Sequence, residues 1–420
     1  MTTERTSAAA STASKMGLLG SLYFSQGLPF GFFTQALPVM LRKQGFSLGE
    51  IGLASLLAVP WALKFVWAPA VDRYSLPGVG RRKSWIVPLQ LAAVALLVLL
   101  GSSAERDSMA VLMGAVLLLN LVAATQDIAT DGLAVDLLTP PERGLANGIQ
   151  VAGYRVGMIV GGGILLILHD RLGSGGTFLS MAAITGLATL PILATREPSP
   201  SSREVASENT SPHRHFLRRR GAWRLVGLIV AYKAGDAFAT GMLRPFLADA
   251  GLSLADIGWL LGTVGFVAGL LGALCGGALV NRLGRRNALL LFGLLQAAAV
   301  AGYAFLAISK PGHLVLYGLC AAEHFAGGMA TAALFTCMMD WCSRETSATD
   351  YTVQASAVVI ATGVASTIAG FSAQALGYFG HFCLATVFTL AAIAVVRICF
   401  PTPQQAELLR CATAEVAPCA

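Results

Sequence analysis

Two aspartates four residues apart, Asp127 and Asp131, stand in the run Thr125-Gln126-Asp127-Ile128-Ala129-Thr130-Asp131-Gly132, and Asp136 follows. On a helix that spacing places both carboxylates on one face, and like charges held together favour taking up a proton, the chemistry of a proton relay. The plainer alternative is that they pair with Lys64 or Arg155 and hold helices together. Glu323-His324 forms a second acid–base pair, because an imidazole changes charge near neutral pH; its alternative is an internal hydrogen bond. Lys233 and Asp236 are three apart and can pair on one helix face. Lys64, in Pro60-Trp61-Ala62-Leu63-Lys64, either faces inward or extends its head to the interface, and Arg244, beside Pro245, reads as an interfacial arginine of that kind. Arg155, in Gly153-Tyr154-Arg155-Val156-Gly157, needs an anionic partner, whether an acid or a ligand.

These charges matter because of what surrounds them. Only 12 % of the 420 residues are charged and 55 % are hydrophobic, with a mean hydropathy of +0.68, a composition outside the range of soluble globular domains. Twelve windows, from near 17–41 to near 382–400, are long enough to cross about 30 Å of hydrocarbon, so an all-α membrane protein is expected. A titratable group within such a span costs a few kcal/mol, which makes each one a candidate for function.

The chain also repeats. Gly45-Phe46-Ser47-Leu48-Gly49-Glu50-Ile51-Gly52 returns as Gly251-Leu252-Ser253-Leu254-Ala255-Asp256-Ile257-Gly258. Each copy leads through an apolar span into a basic turn: Asp72-Arg73 with Arg81-Arg82-Lys83, then Asn281-Arg282 with Arg285-Arg286. Parallel repeats of this length in an apolar chain predict the major facilitator architecture, twelve transmembrane helices in two six-helix bundles. The expected divisions are a tail at 1–15, a first bundle at 16–195, a linker at 196–222, a second bundle at 223–400 and a tail at 401–420.

A net charge of +7 could suggest nucleic acid. Its placement argues otherwise: with both termini cytoplasmic, only Arg42, Lys43, Arg106, Arg171 and Lys310 fall in outer loops, as the positive-inside rule requires. The basic run from His213 to Arg220 reads as a topology anchor touching anionic lipid. The polar stretch from Met1 to Lys15 leads straight into a full-length span, so no cleaved signal is expected. All eight cysteines lie between Cys275 and Cys419 without metal-ligand spacing, so neither a disulfide framework, a metal nor a cofactor is expected. The glycine clusters lie in apolar spans without the strand context of a phosphate loop, and no nucleophilic triad stands out, so transport is the expectation, ahead of a non-transporting membrane sensor or an enzyme.

Aligning the repeats at Gly45 and Gly251 sets Tyr232, Lys233 and Asp236 opposite Gln26, Gly27 and Phe30. The spacing that carries His324 to Asn120 also carries Asp340 to Asp136. A substrate site is therefore expected from Gln26, Lys64, Tyr154 and Arg155 in the first half and from Tyr232 and Lys233 in the second. Proton coupling is expected from Asp127, Asp131, Asp236, Glu323 and His324. Gating is expected from Asp72, Arg73, Arg81, Arg82 and Asp136, and, in the second half, from Arg282, Arg285 and Arg286 facing Asp340. Asn281 stands where the first turn has Asp72.

The run Gln126-Asp127-Ile128-Ala129-Thr130-Asp131-Gly132, with Pro141-Glu142-Arg143-Gly144, Gly153-Tyr154-Arg155-Val156-Gly157, Ser25-Gln26-Gly27-Leu28-Pro29 and Trp67-Ala68-Pro69-Ala70-Val71-Asp72-Arg73, resembles the AmpG-type permeases of the major facilitator superfamily. The resemblance implies import of a bulky anionic metabolite across a bacterial inner membrane, driven by protons; a monomer is expected. Within the group the chain looks more like the siderophore permeases of the RhtX/FptX type, which implies uptake of a pyochelin-like siderophore or its iron complex; the alternative is the muropeptide branch of cell-wall recycling.

Overall fold

The computed structural model describes residues 11–43, 45, 55–76, 78–103, 109–195, 197, 216, 219, 221–309 and 312–400. The repeat segment after Gly45, most of the linker expected from 196 and the tail from 401 lie outside the described residues. Among the described residues every regular element is a helix: α1 (Thr12–Gly31), α2 (Leu37–Lys43), α3 (Val59–Leu63), α4 (Ala68–Arg73), α5 (Lys83–Ser103), α6 (Met109–Leu137), α7 (Pro140–Ile159), α8 (Leu165–Ala194), α9 (Ala222–Gly241), α10 (Leu243–Asp249), α11 (Leu254–Trp259), α12 (Gly265–Leu283), α13 (Arg285–Ser309), α14 (His313–Asp340) and α15 (Ser347–Cys399).

Seven described helices are long and apolar enough to cross a bilayer. α15, at 53 residues, would extend about 80 Å if straight, far more than one hydrocarbon layer. It breaks at Gly377, whose φ of +65° only glycine adopts freely, and α8 breaks in the same way at Gly173. Other expected windows fall short of the length and hydropathy of a plain span where they carry candidate site residues. α1 runs into a π-turn at Phe32–Ala36. The second window is built from α3, a 3₁₀ turn at Lys64–Val66 and α4, because Pro60 and Pro69 interrupt a continuous helix. α7 carries Gln150 and Arg155, and α14 carries Glu323 and His324.

The chain forms two compact units, residues 1–208 with 338–352, and residues 209–337 with 353–420. In the first, Leu28, Phe32, Leu97, Leu119, Phe178 and Met181 are buried together. In the second, Leu243, Phe246, Leu260, Tyr303 and Phe382 are. Lipid is as apolar as these side chains, so tight packing rather than water exclusion has to hold membrane helices together. The first unit achieves it where α1 meets α7: a Cβ at Gly27 would stand 2.1 Å from the Tyr154 carbonyl oxygen, one at Gly157 2.2 Å from that of Phe24, and one at Gly161 1.9 Å from that of Leu28. This contact fixes Tyr154 and Arg155 against α1. In the second unit the close approach joins α12 to α14, where a Cβ at Gly272 would stand 2.0 Å from the Phe325 carbonyl oxygen. It fixes the Glu323-His324 pair.

Gly161→Ala should therefore destabilise the first unit by about 1–3 kcal/mol through overpacking. Gly163→Ala, where a Cβ meets nothing within 4 Å, should be neutral or slightly stabilising. Thermal melts of the two purified variants in detergent check this, and equal melting temperatures would contradict the glycine contact.

Candidate functional site

In the first unit the site is built around Lys64. The 3₁₀ turn between α3 and α4 brings its ammonium onto the face of α6 that carries both aspartates. It pairs with Asp127 and lies 4.0 Å from Asp131 Oδ2. Lys64 is 3 % exposed and Asp131 2 %, so the lysine does not reach the interface as the alternative reading allowed. Tyr23 Oη, from α1, donates to Asp131 Oδ1 at 2.8 Å, and Gln150 Nε2, from α7, donates to the same oxygen at 3.4 Å. One lysine thus faces two carboxylates in a place with little water.

Aromatic rings wall this charge cluster. The Phe30 ring centroid lies 5.4 Å from that of Trp61 and 5.6 Å from that of Tyr154. Lys64 Nζ sits 5.8 Å from the Trp61 ring, whose Nε1 donates to Asn120 Oδ1 at 3.1 Å. Gln26, on α1, is buried, and both polar atoms of its amide lack a hydrogen-bond partner among the described residues. Buried amides are normally satisfied, so this one has capacity for a water or a ligand. Arg155 is half-buried on α7 beside Tyr154.

The second unit repeats the theme with different groups. Lys233 Nζ pairs with Asp236 Oδ2 at 2.8 Å, and Gln296 Nε2 donates to Asp236 Oδ1 at 2.7 Å. Glu323 is 2 % exposed; its Oε2 lies 2.9 Å from His324 Nδ1 and accepts from Tyr303 Oη at 3.3 Å. A cavity of about 440 Å³ is lined by Lys233, Asp236, Thr240, Arg244 and His324 among others. Tyr232 is not on that wall: it is buried, and its hydroxyl donates to the Leu289 carbonyl oxygen at 3.0 Å, which turns the ring toward α13.

The basic turn after α4 forms a third cluster, and the segment 338–352 completes it within the first unit. Arg82 is fully buried. Its Nε donates to Asp136 Oδ2 at 2.9 Å and its Nη2 to Asp72 Oδ1 at 2.8 Å. Burial alone would lower the Arg82 pKa, but Asp136 and Asp72 hold it above the ordinary arginine value. Asp72 accepts from the Thr349 backbone at 2.7 Å and Asp136 from Ser347 Oγ at 2.6 Å. Arg81 Nη2 donates to Asp72 Oδ1 at 3.0 Å. Glu197 receives the backbone N–H groups of Arg82 and Lys83, both at 2.9 Å. Arg73 stands apart, over the Tyr74 ring.

The second basic turn does not reproduce this arrangement. Arg285 Nη1 donates to Asn281 Oδ1 at 2.5 Å, and Arg286 Nη2 to the Arg397 carbonyl oxygen at 3.0 Å; Arg282 is exposed in the last turn of α12. Asp340 was expected to face that turn, yet it accepts from Arg143 Nη1 at 2.8 Å, in the first unit. An amide at Asn281 supplies no charge to collect three arginines, which is the physical reason for the difference. Arg143, Glu197, Ser347 and Thr349 were not expected in the site; the signal for Arg143 was its place seven residues after Asp136, at the start of α7.

Buried ion pairs and a polar cavity in a helical membrane bundle are what a secondary transporter requires. The sequence matches the Major Facilitator Superfamily over residues 19–322 and 228–410. It is 31 % identical over 394 residues to the anhydromuropeptide permease of Escherichia coli K12, covering 92 % of this chain and 80 % of that protein. It is 25 % identical to AmpG 4 of Rickettsia conorii, covering 88 % and 92 %. The crystal structure of FucP, a superfamily transporter in the outward conformation, superposes with a TM-score of 0.70 at 15 % identity, covering 92 % of this chain and 99 % of that one. The human organic anion transporter MFSD10 gives 0.69 at 15 %, with the same coverage. The chain belongs to the Major Facilitator Superfamily, among the relatives of the AmpG-type permeases.

At the start of α7, Glu142 closes a capping box with Thr139 and pairs with Lys15 at 2.9 Å. Burial alone would raise its pKa, but hydrogen bonds from Lys15, Thr139 and Thr12 hold it down at about 2, against an ordinary value of 4.5. A depressed carboxylate stabilises the fold fully above the unfolded value and loses that contribution as pH falls through the folded one. The melting temperature of the natural chain should therefore drop between about pH 4.5 and 2 more steeply than that of Glu142→Gln, whose side chain does not titrate. Parallel pH profiles for the two proteins would remove Glu142 from this account.

Proposed function

We propose that this transporter imports anhydromuropeptides from periplasm to cytoplasm across the bacterial inner membrane, coupled to protons, with both termini cytoplasmic. The observation that carries the substrate class is the 31 % identity over 92 % of the chain with the anhydromuropeptide permease of Escherichia coli. Of the two branches expected from the sequence, siderophore import first and muropeptides as the alternative, these relatives favour the alternative. A muropeptide joins sugar rings to a peptide with free carboxylates, which suits cations beside aromatic walls: Lys64, Arg155 and Tyr154 in one unit, Lys233 in the other.

Proton coupling follows from the imbalance at Lys64. With both aspartates ionised, the cluster holds a net negative charge away from water, which is costly, and a proton on either carboxylate removes it. Asp127 and Asp131 are the coupling groups in this reading, and Glu323 with His324 is the corresponding pair of the second unit. Gln26 offers its amide to the ligand.

Reconstituted in proteoliposomes, the protein should accumulate a labelled anhydromuropeptide under an inward proton gradient and stop when a protonophore is added. Asp127→Asn should abolish accumulation, a loss of tenfold or more, while preserving counterflow exchange, which needs no net proton movement. Uptake of ferric pyochelin in place of the muropeptide would return the substrate to the siderophore branch. Accumulation untouched by the protonophore would sink proton coupling.

Arg82 and its partners are the gate in this proposal. Segment 338–352 is held to the first unit through Asp72, Asp136 and Arg143, so loosening those contacts frees it. Removing one partner of a buried pair of this kind leaves an uncompensated charge and costs several kcal/mol, far more than for exposed pairs, which are worth about 0–1 kcal/mol. Asp136→Asn combined with Asp340→Asn should speed thiol labelling of the native Cys342, within this segment, several-fold, and lower transport rate more than ligand affinity. Unchanged labelling with an unchanged rate would leave these charges as topology signals.

A further inference from the structure

We infer that Arg244 anchors a subsite for a carboxylate group inside the cavity of the second unit. The ligand rests on the anhydromuropeptide reading; the anion preference of the site does not. Arg244 is exposed and lines the same cavity of about 440 Å³ as Lys233, Asp236, Thr240 and His324, a placement that its position beside Pro245 did not suggest. The reason is local: α9 ends at Gly241, Met242 leaves helical geometry at φ −104° and ψ 4°, and α10 restarts at Leu243. The break carries the next residue onto the cavity wall.

The charges in the cavity do not cancel. Lys233 is neutralised by Asp236 at 2.8 Å, and the other oxygen of Asp236 is taken by Gln296 at 2.7 Å. Glu323 lies behind His324, 2.9 Å from its Nδ1, and accepts from Tyr303. Both acids near the cavity are thus committed. The Arg244 guanidinium has no hydrogen bond or ion pair to any described residue. A guanidinium is always charged and presents a planar fork that matches a carboxylate with two parallel hydrogen bonds. A cavity with this surplus attracts an anion, and the peptide carboxylates of a muropeptide are the anions that the proposed substrate carries.

Two measurements on the full-length protein test the subsite. In the first, proteoliposomes carry the natural chain, Arg244→Gln or Arg244→Lys, and the probes are an anhydromuropeptide with free peptide carboxylates and the same compound with those carboxylates amidated. The glutamine variant should weaken the half-saturation concentration for the free acid about tenfold or more, as expected for loss of a charged hydrogen-bond pair, and leave the amidated probe within twofold. The lysine variant should recover part of the loss. Equal effects on both probes, or none, would overturn the carboxylate assignment.

The second measurement does not depend on the substrate. A cysteine at Thr240→Cys should react about tenfold faster with an anionic sulfonate thiosulfonate reagent than with its trimethylammonium counterpart, and adding Arg244→Gln should bring the two rates together. A preference that is absent, or indifferent to Arg244, would overturn the subsite. If no anhydromuropeptide is carried while the preference stands, the substrate reading falls and the anion subsite remains. If the muropeptide is carried while Arg244→Gln changes neither measurement, the subsite falls and the substrate reading remains.

Discussion

A charge inside a bilayer must find its counter-charge within the bundle, and most of what is unusual in this protein follows from that requirement. Lys64, Asp127, Asp131, Lys233, Asp236 and Glu323 all sit in or beside segments meant for hydrocarbon, and each has a polar partner within its own unit. Helices that carry only apolar side chains can be plain cylinders. Three segments that carry charges are interrupted, by the 3₁₀ turn at Lys64, the π-turn that follows Arg155 and the break that follows Asp236, while α6 with Asp127 and Asp131 and α14 with Glu323 run unbroken. Backbone irregularity at membrane depth is tolerated where neighbouring protein groups satisfy it, and here it is also what aims the charged side chains inward.

Partnership with neighbours requires close approach, which the glycine contacts supply. Where α1 meets α7, the carbonyl oxygens of Phe24, Leu28 and Tyr154 occupy the space a Cβ would need, and this brings Tyr23, on one helix, and Gln150, on the other, to the same oxygen of Asp131. The second unit places its tight contact elsewhere, between α12 and α14, beneath the Glu323-His324 pair. Two halves with a common origin thus keep the principle of glycine-mediated approach while moving it to different helix pairs. One half therefore surrounds a cation with acids, whereas the other leaves a cation in surplus.

The Arg82 cluster shows the same divergence at a helix end. Asp72 has both a buried arginine and the N–H groups at the start of α15 to satisfy it. The equivalent position in the second half is Asn281, an uncharged amide that engages its own neighbour Arg285. The first cluster depends on a full negative charge to offset burial of a guanidinium, whereas in the second Arg286 reaches the Arg397 carbonyl oxygen instead of a carboxylate.

The sequence by itself determined the class of protein and the depth of its chemistry. Hydropathy set the kind of helices, and helical periodicity placed Asp127 with Asp131 and Lys233 with Asp236, since residues three or four apart share a face whatever surrounds the helix. The inward lysine at position 64 was legible as one of two readings. What periodicity leaves open is the rotation of each helix about its axis and the identity of its neighbour, which depend on contacts distant in sequence. Tertiary structure alone turned Tyr232 toward Leu289, gave Asp340 to Arg143, brought Ser347 and Thr349 to Asp136 and Asp72, and set Arg244 on a cavity wall. Each was decided by packing between helices, at glycine contacts and helix breaks whose geometric consequences no local pattern of residues encodes.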